Sequence, residues 1–390
     1  MENVVITSAV RTPIGSFGGV FRHVMPHRLA AITIKEAVKR SSLEPEQVQE
    51  VILGNAIMRT DEANVARVAA LKAGIPVEVP AFTVQRQCSS GMQAVVSAMQ
   101  EILLGDSEIV VAGGVESMST APFVLKTVRW GHRLQHGEMT DSLWEILHDP
   151  NYNIMMGMTA ENLADKYSIS REEQDKIACR SHKNASLAIK EGYFKSQIVP
   201  VGEGKTKGGK IDTDEHPRPD ISIEALAKLP PVFKKGGTVT AGNSSGINDG
   251  AAAMVLMKEA RANQLGIKPL ARIISYAWAG VEPWLMGYGP VPATKKLLKK
   301  VNISLQDIQL IELNEAFAAQ YLTCEKLLGL NREIVNVNGS GIGLGHPGGC
   351  TGARMIVTLV HELRRRNLKL GLASLCVAGG MGMSMLIEAC

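Results

Sequence analysis

Aromatic side chains make up only 4% of the 390 residues and charged ones 21%, with 42 basic against 38 acidic residues and a net charge of +4. Such a chain has neither the basic face that nucleic-acid binding needs nor an acidic disordered tail. Its six cysteines (Cys88, Cys179, Cys324, Cys350, Cys376, Cys390) are too sparse for a disulfide framework and form no CxxC pair. They predict reduced thiols in a reducing compartment. No apolar run approaches the ~18–20 residues of a membrane span, and no basic stretch leads into an apolar one at the N-terminus. A soluble, cytoplasmic protein is the expectation. A Walker loop is missing too, and His23/His27 and His132/His136 share i, i+4 spacing without a third ligand or an H-E-x-x-H pattern. No metal site is expected.

What is present is a chain that is 45% apolar, long enough for two or three domain-sized units. Short β-branched runs (Val4 to Thr7, Val51 to Gly54, Ala81 to Gln85) alternate with segments of helical period (His27 to Arg40, Asn64 to Gly74), which predicts α/β layering. A helix is expected from about Ser89 to Leu104, stopped by Gly105, with Ile109 to Ala112 as the next buried strand. From about Met118 to Thr240 the strands thin out, and clusters of Trp, His, Met, Lys and Gly-Lys appear, including Lys205, Lys207 and Lys210. One helix is well signalled there, by a Ser170 and Glu173 capping box ahead of a stretch to about Gly192. These shifts divide the chain into an N-terminal α/β half (1–118), an inserted loop domain (119–240), a return to the first half (241–270) and a C-terminal α/β half (271–390).

The sequence also repeats itself. Val48 to Ala56 lies over Ile308 to Ala316, a shift of 260 (308 minus 48), and Ser90-Gly91-Met92 lies over Thr351-Gly352-Ala353, a shift of 261 (351 minus 90). Val111 to Gly114 matches Val377 to Gly380, a shift of 266 (377 minus 111). Three matches in one order argue for two similar halves, each contributing a sheet and sharing a layer of helices.

Four segments could carry chemistry. Cys88 falls between a strand and a helix that begins Ser89-Ser90-Gly91, where outward N–H groups lower a thiol pKa and can bind a developing oxyanion. A small core cysteine is the other reading. The run Asn338 to Gly352 is too glycine-rich for a regular element, and Pro347 would hold His346 rigidly at its tip. A structural histidine and a catalyst both suit that position. Gly343, Gly345 and Gly348 satisfy G-x-G-x-x-G, but Pro347 interrupts the motif and the nearest downstream acid, Glu362, falls in a helical run, which excludes a dinucleotide fingerprint. Cys376 ends a strand before a glycine turn and taken alone reads as a core thiol. Asn314 and Glu315 end the apolar run Leu310 to Leu313, where a helix cap is as good a reading as a functional one.

Together, Gln85-Arg-Gln-Cys88-Ser-Ser-Gly, Asn314-Glu-Ala-Phe, Gly345-His346-Pro347-Gly and Cys376-Val-Ala-Gly-Gly-Met-Gly resemble the four active-site loops of the thiolase family. The resemblance spans the chain and includes Val4 to Gly15 and Gly237-Thr-Val-Thr-Ala-Gly242-Asn-Ser-Ser245-Gly. It implies a duplicated five-layer αβαβα fold with an inserted loop domain, and a reversible Claisen reaction: two acetyl-CoA giving acetoacetyl-CoA and CoA, or thiolysis of a 3-ketoacyl-CoA. By the same resemblance Cys88, activated by His346, takes the acyl group, and Cys376 removes the α-proton of the second thioester. His346 and a water held by Asn314 face the enolate oxygen, and the backbone N–H groups of Cys88 and Ala378 face the acyl oxygen. Coenzyme A would lie along the inserted domain, with Arg218 at its nucleotide end and Ser245, Ala241, Leu143, Leu226 and Phe233 along the pantetheine arm. Met156 and Phe317 would flank the acyl group. No cofactor is implied beyond these thioester substrates, and family habit implies a homotetramer built as a dimer of dimers.

Three departures stand out. Gln85 replaces the usual Asn, Ala378 the usual glycine, and Met155 a His common in acetoacetyl-CoA enzymes, while Gly349 to Arg354 resembles the longer-chain 3-ketoacyl-CoA thiolases. Chain length stays open. A ketoacyl synthase, which pairs its cysteine with two histidines, fits Cys376 poorly. A protein that only binds acyl-CoA fits poorly a chain that keeps Cys88, Asn314, His346 and Cys376.

Overall fold

The computed structural model describes residues 3–202, 204 and 209–390; Lys205 and Lys207 of the loop cluster lie outside them. The first half alternates as the sequence predicts. β1 (Val4–Arg11) is buried at every position, as a strand covered on both faces should be. α1 (Pro26–Arg40) begins with a proline whose missing N–H no helix needs there. β2 (Glu50–Gly54), α2 (Val65–Ala73) and β3 (Ala81–Val84) follow. α3 (Ser90–Leu104) stops at Gly105, whose φ of 87° is a left-handed cap, and β4 (Ile109–Ser117) runs five residues past Ala112, all buried.

In the insert, the hairpin β5 (Phe123–Leu125) and β6 (Met139–Asp141) precedes α4 (Met156–Tyr167) and α5 (Arg171–Lys190), the latter opened by the Ser170 and Glu173 box. β7 (Asn248–Lys258) returns to the first half. The second half contains β8 (Ala271–Gly280), α6 (Pro290–Val301), β9 (Leu310–Leu313), α7 (Ala318–Leu328), α8 (Gly348–Arg365), β10 (Leu370–Val377) and β11 (Met381–Ala389).

The strands run β9-β10-β11-β8-β1-β7-β4-β2-β3, and Gly15–Ser16 pairs with β7 to make ten. The expected two sheets are both there, but they join: Val5 pairs with Arg272 and Ile6 with Ala271. That junction closes what would otherwise be two open strand edges. The duplication is visible in register. β2 lies parallel to β4, with Val51 opposite Val111, and β9 parallel to β10, with Ile311 opposite Leu372. Val111 therefore corresponds to Leu372, and the third sequence match is a likeness of composition only. Val377 to Gly380 is the end of β10 and its turn, not mid-strand.

α3 and α8 form the shared layer. Between the sheets, Met92, Val95, Val96, Ile356, Val357 and Val360 are all fully buried. Their backbones touch: a Cβ on Gly91 would lie 2.8 Å from Gly349 O, and one on Gly352 would lie 2.7 Å from Met92 N. Glycine costs each helix some stability, and here it permits main-chain contact between the two halves. The starts of both helices, with Cys88 on one and His346 on the other, are thus brought to one end of the layer. Among the described residues no helix is long and apolar enough to cross a membrane.

Candidate active site

Cys88 sits at the corner between β3 and α3. Its predecessor, Gln87, is a non-glycine residue at φ 44°, a strained setting held by local hydrogen bonds. The Ser90 hydroxyl donates to Gln87 O at 2.7 Å and accepts Arg86 N–H at 2.8 Å. The corner leaves the Cys88 side chain half-buried. Burial raises its thiol above the usual range, against the backbone N–H groups of Ala378 and of Cys88 itself, which face the sulfur and favour the thiolate. Ala378 performs this with ordinary backbone angles; the left-handed positions of that turn fall on Gly379 (φ 83°) and Gly380 (φ 80°). Position 378 is therefore not one of the turn's left-handed positions.

His346 is 8% exposed. Its N–H donates to Asn248 Oδ1 on β7 at 2.9 Å, and its Nδ1 lies 2.6 Å from Thr351 Oγ1. Burial, with the Arg354 charge adding to it, pushes the imidazole down to about 4. Cys376, at the end of β10, is buried, and burial followed by the presence of Cys88 and Cys324 holds its thiol well above the ordinary value. These shifts favour two thiols beside a neutral imidazole at neutral pH.

These groups share one cavity of about 400 Å³, lined by Cys88, His346, Cys376, Ala378, Met155, Met156, Phe233, Ala241, Ser245 and Phe317. Trp144, Leu147 and Met286, which the sequence did not single out, complete its apolar wall. A second cavity of about 430 Å³ shares Ala241, Ser244, Gly246 and Ile247 with the first and holds Arg218 and Leu226 beside His182 and His216. The two imidazoles stack at 5.9 Å between centroids, and burial above all pushes His182 down to about 3. Leu143 lines neither cavity. It is turned inward against Ile57 and Met118, and its neighbour Trp144 takes the wall position. Asn314 is fully buried outside the cavity lining, with neither amide atom paired among the described residues. Such a group is completed by a water or a ligand.

Glu116 was not found from the sequence. It ends the apolar run of β4 as Asn314 and Glu315 follow β9, which was the available signal. Its carboxylate accepts Asn55 Nδ2 (2.8 Å), Ala56 N (3.0 Å), Ile57 N (3.2 Å) and Gly349 N (2.7 Å). Burial pushes it up to about 7 against these four donors. It ties the start of α8 in one half to the chain after β2 in the other.

A cysteine at a helix start, N–H groups on its sulfur, a buried imidazole and a second buried thiol around one apolar passage make an arrangement suited to acyl transfer through a covalent thioester. The comparisons agree. Residues 4–260 match the N-terminal domain of thiolase and 267–389 its C-terminal domain; the chain belongs to the thiolase family of acyltransferases. It is similar to a beta-ketothiolase of Cupriavidus necator, 49% identical over 390 residues, 99% of each chain. Among solved structures, a Bacillus anthracis acetyl-CoA acetyltransferase is 60% identical (TM-score 0.98, covering 100% of this chain and 99% of that one). Human mitochondrial 3-ketoacyl-CoA thiolase in complex with CoA is 44% identical (TM-score 0.97, covering 100% and 98%).

Proposed function

We propose that this thiolase joins two acetyl-CoA molecules to acetoacetyl-CoA and CoA, and cleaves 3-ketoacyl-CoA in reverse, through Cys88, His346 and Cys376. What carries the reading is that these three side chains line a single cavity. Cys88 Sγ attacks the thioester carbonyl, its proton passes to His346, and CoA leaves with that proton. The acyl oxygen lies toward the N–H groups of Cys88 and Ala378. Cys376 then passes its own proton to His346, the thiolate so formed takes an α-proton from the second acetyl-CoA, the carbon attacks the acyl-cysteine, and Cys88 departs as the thiol with the proton from His346. A thiolate is too weak a base for this step unless the enolate oxygen is stabilised as its charge grows. His346 and a water on Asn314 fill that role, which suits the unpaired Asn314 amide.

The coenzyme A arm follows Ala241, Ser245 and Phe233 to Arg218, across the residues common to both cavities. The thioesters are substrates, and the steps ask for no other cofactor. A longer acyl chain is a second reading, favoured by Met155, Met156, Met286 and Leu147, flexible or aliphatic side chains that yield to extra methylenes. The test is CoA-dependent cleavage of a ladder of 3-ketoacyl-CoA substrates from acetoacetyl-CoA upward. No turnover on any rung sinks the enzyme reading, and turnover on the first rung alone sinks the longer-chain one.

We also propose a homotetramer, a dimer of dimers, operating in the cytoplasm in fatty acid metabolism. Two unpartnered features support the assembly: the edge strand β3 with Phe82 exposed, and the insert hairpin with Phe123, Leu125, Met139 and Trp130 facing solvent. The six unpaired thiols suit a reducing compartment. Light scattering of wild type beside Trp130→Ser decides the assembly: a monomeric wild type overturns it.

A further inference from the structure

His346 offers one ring nitrogen to the cavity, because the other is engaged. Its Nδ1 lies 2.6 Å from Thr351 Oγ1, the ring's one hydrogen-bond partner among the described residues. Thr351 stands in the first turn of α8, fully buried, and its hydroxyl donates to Pro347 O at 2.9 Å. That carbonyl also takes the N–H groups of Cys350 and Thr351. With its only proton directed there, Oγ1 has lone pairs left for His346. The main chain of His346 is fixed separately, by Asn248 Oδ1, whose amide nitrogen donates to Gly15 O at 3.0 Å. Ring position and ring protonation therefore have different anchors.

We infer that Thr351 is a positioning residue for the reaction: its hydroxyl oxygen holds the His346 proton on Nδ1, leaving Nε2 bare as the base for Cys88. In a neutral imidazole the two nitrogens have opposite roles, and the partner of one decides the role of the other. When the Cys88 proton moves to Nε2, the ring becomes an imidazolium whose Nδ1–H still points at Thr351. The same contact thus steadies the charged form until the proton is handed to the departing CoA sulfur. Other groups near the ring act differently. Cys88 and Cys376 supply protons, Glu116 on β4 is saturated by four N–H donors, and Arg354 and Cys350 on α8 make no hydrogen bond to the imidazole.

The inference rests on the thiolase reading, and its test separates the two. Thr351→Val keeps the shape and removes the acceptor; Thr351→Ser restores it. The readout is CoA release from acetyl-CoA in a single turnover, which isolates acylation of Cys88. Thr351→Val is expected to acylate on the order of 10- to 100-fold more slowly, the loss usual when an imidazole's orienting partner is removed, with KM changed less than about twofold. The acid limb of its rate-against-pH profile is expected to move to lower pH, because the imidazolium has lost its acceptor, and Thr351→Ser to return rate and profile to near wild type. Wild-type speed in Thr351→Val, a faster rate, or equal loss in both variants overturns the inference. Should Thr351→Val fail to fold, histidine 15N NMR of the wild type, assigned with His346→Gln, decides the matter alone: Nδ1-protonated supports it, Nε2-protonated refutes it. That spectrum stands even if wild type releases no CoA, the outcome that would instead defeat the enzyme reading.

Discussion

The two halves of this protein carry the same architecture and put different chemistry on it. In the first, the sulfur is at a helix start, half-open, with two backbone N–H groups on it. In the second, Cys376 is at a strand end, closed in, with burial as the main influence on its thiol. Register makes the contrast sharper. The offset that sets Val111 on Leu372 sets Gly349, not a cysteine, opposite Cys88. Duplication supplied two corners facing one another across α3 and α8; the site uses non-equivalent positions of each. A sulfur surrounded by N–H donors suits attack on a carbonyl, where negative charge collects. A sulfur with only its own N–H beside it, in an apolar setting, stays a stronger base once ionised and suits proton removal.

The largest expected effect breaks that division directly. Cys88→Ser should abolish both CoA release from acetyl-CoA and 3-ketoacyl-CoA cleavage, by ~10³-fold or more, about 4 kcal/mol of transition-state stabilisation. Cys376→Ser should lose cleavage by roughly 10²- to 10⁴-fold, the worth of a positioned base, while still releasing CoA from acetyl-CoA in a single turnover. Were Cys376→Ser to lose that first half-reaction as well, the two sulfurs would not have separate tasks.

Next in size is the tie between halves. In Glu116→Gln an amide NH₂ would face N–H donors where a carboxylate oxygen now accepts them, leaving buried donors unpaired at a cost of about 3 kcal/mol. A clear drop in melting temperature and a slower acylation of Cys88 are expected together. Activity lost with melting unchanged would mean Glu116 acts on the reaction, not as a clasp.

Somewhat smaller is Gly352→Ala. Its Cβ would meet Met92 N at 2.7 Å, so α8 must move away from α3, at ~1–3 kcal/mol for overpacking. Since Cys88 and His346 hang from these two helices, acylation should slow as well. Unchanged melting would show that the interface between the halves has slack.

The contrast also governs how much could be read from the sequence. The N-terminal alternation, the Gly105 stop and the Ser170 capping box are local signals, and the helices appear within a residue or two of where those signals put them, while β1 and β4 run four and five residues further than their β-branched cores. Cys88, His346 and Cys376 stood out because glycine and proline mark their turns. The third repeat match misled because Val-Ala-Gly-Gly is common both in a buried strand and at a strand end, and only pairing register tells them apart. Leu143 reads from the sequence as lining the pantetheine arm, yet Trp144 is the one on the cavity wall; which neighbour on a one-turn helix faces inward is set by what packs beneath it, here Ile57 and Met118. Glu116 and Thr351 were invisible for another reason. Their partners are 233 and five residues away, and neither spacing is a motif.

The finest test uses pH, and its expected result is the absence of a change. A histidine of ordinary pKa near 6.5 would lose most of its neutral form between pH 7 and 5.5, slowing any step that needs it as a base roughly tenfold. Burial holds His346 at about 4 instead, and Cys88 stays a thiol throughout, its own pKa raised. Acylation of Cys88, read as single-turnover CoA release in the Cys376→Ser background, should therefore vary less than about twofold over that interval. The sign on stability is opposite: below about 6.5 the unfolded chain takes up the His346 proton and the folded one does not until about 4, so folding weakens as pH falls through that window. A tenfold slowing by pH 5.5 without unfolding would show that the ring is hydrated or paired with a charge in solution, and the resting state would be an ion pair of Cys88 and His346, not a thiol beside a neutral base.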